Sequence, residues 1–376
     1  MNISTSIWER DSFFAPSDII IIGSGLLGLW TALELISKKP ALKITILERG
    51  MIPMGASTRN AGFACFGSPS EMLSDANKMG EKTMWDIVDM RYRGLKKISQ
   101  HFTNQDIGFD NSGGYECYQT SNINLNEMKD KVVWLNEGMQ KITGRSNLFS
   151  WCDLKMNEFG LSGFDAMIGN EMEGGLHSGK LVQGLIRKVQ AAGVNILNGM
   201  QVDNWEVNNG TVLVSGNHQT LKAEQLILCT NGFTSQIQSE IFIAPARGQV
   251  FVTDPIEGLQ LKGTFHYDEG YYYFRNLGDR LLIGGARNKD IETEHSTEMD
   301  LNETIQKELE IFTARHILAN KKFTISDRWS GIMGFSENKW PVIQQIQTGV
   351  YAAVCCNGMG VALSPIIADK ICNMVL

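Results

Sequence analysis

Proline is scarce in this chain, 8 of 376 residues, and no tandem repeat, low-complexity tract or Pro/Ser-rich linker interrupts it. Composition therefore marks no domain boundary, as expected where a chain passes back and forth between two domains. The seven cysteines (Cys65, Cys117, Cys152, Cys229, Cys355, Cys356 and Cys372) are odd in number, with no C-x-x-C pair and no zinc spacing. That argues against a disulfide framework and for a reducing, cytoplasmic setting. Neither His177 nor His295 has neighbours that suggest a metal, so no metal site is expected. Positive charge is in deficit, 34 Lys+Arg against 41 Asp+Glu, with no basic block of five, which argues against a nucleic-acid partner. Residues 1–14 carry Glu9, Arg10 and Asp11 and lack the apolar core of a signal peptide. One long apolar run, residues 19–36, is broken by Gly23-Ser24-Gly25 and holds Glu34, so it reads as a buried strand and helix and no membrane span is expected.

What is present is apolar mass and glycine: 43% hydrophobic residues and 38 glycines, enough for sizeable cores and close backbone approach. The β-branched run over residues 18–22 reads as a parallel strand buried on both faces, residues 26–38 as a helix, and residues 43–48 as a second strand, together a βαβ unit. One long helix is expected over residues 71–102, a strand over 114–119 and a helix over 125–142. An amphipathic helix over 181–192 leads to a short strand over 194–197, and a meander over 204–230 ends in the buried run 225–229. Strands predominate over 246–287, a helix is expected over 301–319, and a strand over 349–355 runs into a last helix over 361–374.

Gly23-Ser24-Gly25-Leu26-Leu27-Gly28 sits between the first strand and its helix, and Glu48 closes the next strand. This is the pattern of dinucleotide binding. The first glycine allows a sharp turn, the second lets backbone approach a pyrophosphate, and the third lets helix and strand pack closely. The helix N-terminus offers N–H groups and the positive dipole end to phosphate, while Glu48 accepts from ribose hydroxyls and would repel a 2′-phosphate. The glycine-rich segment over residues 55–62, Cys229-Thr230-Asn231-Gly232 at a strand end, and Gly358-Met359-Gly360 before the last helix add further contacts far apart in sequence. A long, bent cofactor touched by such separated segments favours FAD over NAD.

Across residues 19–28, 46–49, 56–62, 229–232, 246–249, 282–287, 329–341 and 357–361 the chain resembles the FAD-dependent D-amino-acid oxidase superfamily, which includes glycine oxidase, sarcosine oxidase, DadA-type D-amino-acid dehydrogenases and γ-glutamylputrescine oxidase. The resemblance implies an α/β fold, with a Rossmann-like FAD-binding domain interleaved with an α+β substrate domain of mostly antiparallel sheet. The expected boundaries are 15–95, 150–240 and 325–376 for the first domain and 96–149 and 241–324 for the second. It implies that Gly23, Ser24, Gly25, Leu26, Leu27 and Gly28 hold the pyrophosphate, Glu48 the ribose, and Arg49 and Val202 the adenosine. Ser57, Thr58, Arg59, Asn60, Ala61 and Gly62 would line the flavin, Thr230, Asn231 and Gly232 would flank the adenosine half, and Gly331, Ile332, Gly358, Met359, Gly360 and Val361 would border the isoalloxazine.

Two departures stand out. Met333 occupies the place of the arginine that clamps a substrate carboxylate, in a Trp329-Ser330-Gly331-Ile332-Met333-Gly334 segment closer to the γ-glutamylputrescine-oxidase branch. Gly331 stands where monomeric sarcosine oxidases attach flavin through cysteine, so FAD is expected to be non-covalent, with Cys65 and Cys355 as packing residues. The implied reaction takes a hydride from a carbon bearing an amine, giving an imine, with O2 or another acceptor reoxidising the flavin. The small amine or amino acid would meet Arg287, Tyr273, Tyr271 and His266. Tyr271, Tyr273 and Arg275 are expected on one face of a strand, with Tyr272 and Phe274 on the other. Arg287 either binds a carboxylate or pairs with Asp290 or Glu292. A nicotinamide-dependent dehydrogenase, or a flavin-binding protein without amine turnover, are the alternative readings.

Overall fold

The β-branched run becomes the strand Ser17–Ile22, Gly23 to Gly25 turn the chain, and the helix Leu26–Lys38 returns it to the strand Ile44–Glu48. The computed structural model describes residues 5–121, 124–319 and 321–376. Ser17–Ile22 lies between Ile44–Glu48 and Gln219–Leu228, parallel to both. Val350–Val354 extends the parallel array beyond Gln219–Leu228, and Asn195–Asn198 extends it beyond Ile44–Glu48. Burial on both faces requires apolar side chains throughout, which is why Ile19, Ile20, Ile21, Leu226, Ile227 and Leu228 are all inaccessible. The last helix, Gly360–Val375, packs against Leu26–Lys38.

A second sheet runs in the order Ile325–Phe335, Ala244–Thr253, Arg280–Gly285, Tyr272–Leu277, Thr264–Tyr267, Gly114–Tyr118, Ala166–Asn170 and Ser150–Trp151. It is mostly antiparallel, with Thr264–Tyr267 and Gly114–Tyr118 parallel. One face carries stacked aromatics, Phe265 on Phe274 at 5.0 Å and Tyr272 on Phe312 at 4.5 Å, covered by the helix Glu303–Phe312.

The chain forms two compact units: Met1–Thr58, Gly179–Pro245 and Met333–Leu376 make the first, Arg59–Ser178 and Ala246–Ile332 the second. Residues 59–95 and 150–178, expected with the nucleotide domain, instead belong to the second unit. The cause is packing: Phe66, Met72, Met84 and Val88 bury their side chains in one cluster with Tyr118 and Ile168 of the second sheet. The single helix expected over 71–102 is two, Pro69–Met79 and Glu81–His101, because Gly80 turns to φ +87°. The helix expected over 301–319 spans Glu303–Phe312 and then widens to a π-turn over Thr313–Ile317. No described helix is long and apolar enough to cross a membrane.

Candidate active site

In the first unit the glycine turn sits at the carboxyl end of Ser17–Ile22, where open α/β sheets bind ligands. Gly23 adopts φ +106°, and a Cβ there would come 2.7 Å from the Cys229 carbonyl oxygen. A Cβ on Gly25 would meet Ser57 Oγ at 2.8 Å, and one on Gly28 would fall on the Gly23 carbonyl oxygen. Ser57 Oγ accepts from the Leu26 N–H at 2.8 Å. The Leu26–Lys38 helix has no acidic residue in its first turn and no side-chain cap at Gly25, which leaves its dipole available to an anion. Leu27 is buried in that first turn.

Glu48 does more than sequence foresaw. Its Oε2 accepts from the Ser24 N–H at 3.1 Å and the Ser24 hydroxyl at 2.8 Å, and Oε1 accepts from the Gly50 N–H at 3.0 Å. The carboxylate thus locks the turn as well as lying at its rim. The Arg49 guanidinium stacks 3.8 Å from the Phe233 ring, one residue past Gly232. Val202 is buried in the core shared by Ile22, Leu47 and Leu228. The Thr58 hydroxyl turns back on its own loop, donating to Pro53 O at 2.5 Å.

Three further expected segments meet in this unit. Asn231 Oδ1 accepts from the Cys356 N–H at 3.4 Å, and a Cβ on Gly334 would lie 2.9 Å from the Gly232 nitrogen. A Cβ on Gly358 would lie 3.6 Å from Met333 Sδ, so the methionine at the arginine position reaches the loop before the last helix. Cys355, Asn357 and Gly358 all adopt positive φ, and the helix Gly360–Val375, capped by Met359 without a side-chain bond, has no acidic residue in its first turn. Val361 is buried in that turn.

In the second unit Arg59 ties two expected flavin segments together. Its guanidinium donates to Ser330 O at 2.9 Å, and its carbonyl accepts from the Trp329 indole at 2.8 Å, next to Gly331 and the buried Ile332. Asn60 Oδ1 accepts from Gly62 N at 2.9 Å and Ser178 Oγ at 2.6 Å. Arg275, buried, donates to Gly62 O at 2.8 Å and Leu176 O at 3.0 Å, which commits it to holding this loop. Tyr273 packs with Ala61, Phe63 and Trp329. Tyr271 does not share that face: it precedes the strand, after a turn of positive φ at Asp268, Glu269 and Gly270, and packs on the cluster of Tyr272 and Phe312. Burial pushes the Tyr273 hydroxyl up to about 12, opposed by the nearby Arg287 charge. Asp290 accepts from Asn302 Nδ2 at 2.7 Å. His266 stands edge-on to Phe63 at 5.1 Å, and burial pushes its pKa down to about 4. Sequence gave no signal for the roles of Arg247 and Gln249: both donate to buried Glu294, Arg247 Nη2 at 2.9 Å and Gln249 Nε2 at 3.0 Å, pinning the segment that follows Arg287. Among the described residues no group of His, Cys, Asp and Glu could hold a metal.

The family described as FAD dependent oxidoreductase (DAO) matches residues 18–374. The chain belongs to this family. As a DAO-family protein it is FAD-dependent, and the residues present suit that cofactor: three glycines form a cradle that any Cβ would fill, beneath a helix start free of acidic side chains. Among relatives, the "Probable oxidoreductase OrdL" of Haemophilus influenzae is 24% identical over 378 residues, 96% of this chain and 83% of that protein. The fold is that of L-proline dehydrogenase from P. horikoshii (TM-score 0.77, 16% identity, covering 96% of this chain and 93% of that one). Glycine oxidase from Geobacillus kaustophilus shares it too (TM-score 0.76, 17% identity, covering 96% and 94%). The nicotinamide-dependent reading is thereby set aside.

Proposed function

We propose that this DAO-family enzyme oxidises the C–N bond of a small amine or amino acid to an imine, which water then hydrolyses. The observation that carries the reading is the Cβ-excluding cradle with its Glu48 lock, in a fold shared with glycine oxidase and L-proline dehydrogenase. Residues 1–58, 179–245 and 333–376 would bind the nucleotide, and residues 59–178 and 246–332 would supply the substrate side. Bound FAD supplies a two-electron acceptor for a hydride leaving the substrate carbon. The chain's own task is to hold that carbon in place and keep water out, so no nucleophilic dyad is required.

Gly23 to Gly28 would take the pyrophosphate, and Glu48, Arg49, Val202 and Thr230 to Gly232 the adenosine half. Arg59 to Gly62, Gly331, Ile332 and Gly358 to Val361 would border the ring. The flavin would be held non-covalently: Gly331 offers no sulfur, burial raises Cys65 well above the usual thiol range, and burial pushes Cys355 up to about 11. Arg287, beside Tyr273, takes over carboxylate recognition from the position filled by Met333.

The test is anaerobic mixing of the yellow holoenzyme with D-amino acids, N-methyl amino acids and polyamine derivatives. At least one should bleach the flavin absorbance; a spectrum unmoved by the whole panel would end the proposal. With the best acid substrate, Arg287→Ala should raise KM about tenfold or more, the loss expected of a charge-assisted hydrogen bond.

A further inference from the structure

Alternation places Tyr273, His266 and Glu116 on one face of the second sheet, side by side on three neighbouring strands: His266 is the register partner of both. Most polar neighbours on that face are already engaged. Thr264 Oγ1 donates to Gly113 O at 3.3 Å, and Arg275 holds Gly62 and Leu176. Glu116 accepts from Ser68 Oγ at 3.0 Å, Ser70 N at 2.9 Å, the Ser70 hydroxyl and the Tyr118 phenol. His266 differs. It is 6% exposed, and its Nε2 has no hydrogen-bond partner among the described residues. Phe63, next to Gly62 of the flavin-lining loop, stands edge-on to both His266 and Tyr273, at 5.1 and 6.0 Å. A polar nitrogen left unsatisfied in a dry, aromatic setting is costly unless a ligand completes it.

We propose that His266 is a substrate contact, its Nε2 accepting a hydrogen bond from the amine nitrogen of a substrate that enters as the free base. This rests on the amine-oxidising function proposed above. The charged groups near His266 explain the protonation state. Glu71, on the helix Pro69–Met79, pairs with Arg91, on Glu81–His101, at 3.1 Å. Glu116, on one neighbouring strand, is held by four donors, and Tyr273, on the other, lies beside His266 as a neutral phenol. At the turn beyond, Asp268 accepts from Asn288 and Glu269 from Ser74. Each of these carboxylates already accepts from other groups, so an ammonium would enter without a carboxylate free to pair with it, whereas an uncharged amine needs only an acceptor. An amine that donates N–H to imidazole also keeps its lone pair free to assist the departing hydride.

The experiment uses holoenzyme and a probe that cannot be oxidised, tert-butylamine, followed by its perturbation of the flavin absorbance, with tetramethylammonium as a cation that cannot lose a proton. Tert-butylamine should bind in proportion to its free-base fraction, and tetramethylammonium should leave the spectrum unchanged. His266→Phe should weaken tert-butylamine binding about tenfold, the effect of one buried hydrogen bond, and His266→Gln should recover most of it. If His266→Phe does not load FAD, His266→Ala with added imidazole takes its place, and imidazole should restore probe binding. Binding unchanged in His266→Phe, absence of rescue by imidazole, or equal binding of tetramethylammonium would overturn the assignment. Wild-type flavin that no amine bleaches, but whose probe binding still depends on His266, would sink the proposed reaction and leave the site standing. Bleaching by an amine with an unchanged Kd in His266→Phe would do the reverse.

Discussion

The glycine cradle of the first unit and the Tyr273 face of the second are made of different material. The cradle is drawn by backbone: Gly23, Gly25 and Gly28 matter because nothing projects from them, and Glu48 steadies the turn. The Tyr273 face is drawn by side chains on a regular sheet that tolerates many residue types, with Glu116, His266, Tyr273 and Arg275 projecting from ordinary strand positions. Backbone-built sites demand particular residues at particular spacings and so leave a signature. A face built from side chains leaves only alternation, which says that two sides exist and not which one works.

The largest expected effect breaks the cradle. Gly28→Ala drives a methyl into the Gly23 carbonyl, which belongs to a turn held by Leu47 and Glu48 and cannot yield. It should cost roughly 3 kcal/mol or more of stability, at the upper end for overpacking, and yield colourless protein; a yellow variant of wild-type Tm would remove Gly28 from the cradle. A second test separates the units by pH. Burial raises Glu173, in the second unit, to about 8, so the folded protein keeps a proton that the unfolded chain releases near the ordinary glutamate value of 4.5. Its contribution to stability is full below that value and is lost as pH rises through 8, by roughly 1.4 kcal/mol per pH unit in that window. Glu173→Gln should flatten the fall in Tm over this range, and hydrogen exchange should locate the loss in the second unit; an unchanged slope would contradict the raised pKa. The smallest effect sharpens the other side. Tyr273→Phe should leave FAD affinity within about twofold while raising substrate Kd about three- to tenfold, the range for one hydrogen bond; the opposite split would move Tyr273 to the cofactor.

How much could be read in advance follows from the same contrast. The strand Ser17–Ile22, its glycine turn and the helix Leu26–Lys38 were legible almost to the residue, since full burial demands an unbroken apolar run and the turn demands glycine. Gly80 was visible yet did not announce itself as a break, because the apolar spacing continues on both sides and only φ +87° ends the helix. Tyr271 was misplaced by counting two residues back from Tyr273, when the strand begins only at Tyr272. The boundary at Thr58 and Arg59 was invisible because a loop crosses it without any change in composition. Arg275 and Arg247 look alike in sequence, but one holds backbone carbonyls and the other grips a buried carboxylate, a distinction that only tertiary neighbours decide.

The strand Val350–Val354 pairs with Gln219–Leu228, which itself lies beside Ser17–Ile22, so strands far apart in the chain share one sheet. On the ribosome the glycine turn emerges long before the strand and helix that finish its neighbourhood. A nascent chain halted before Val350 has the opening turn of the proposed nucleotide site and nothing to close it, so cofactor loading should wait until that strand and helix have been made.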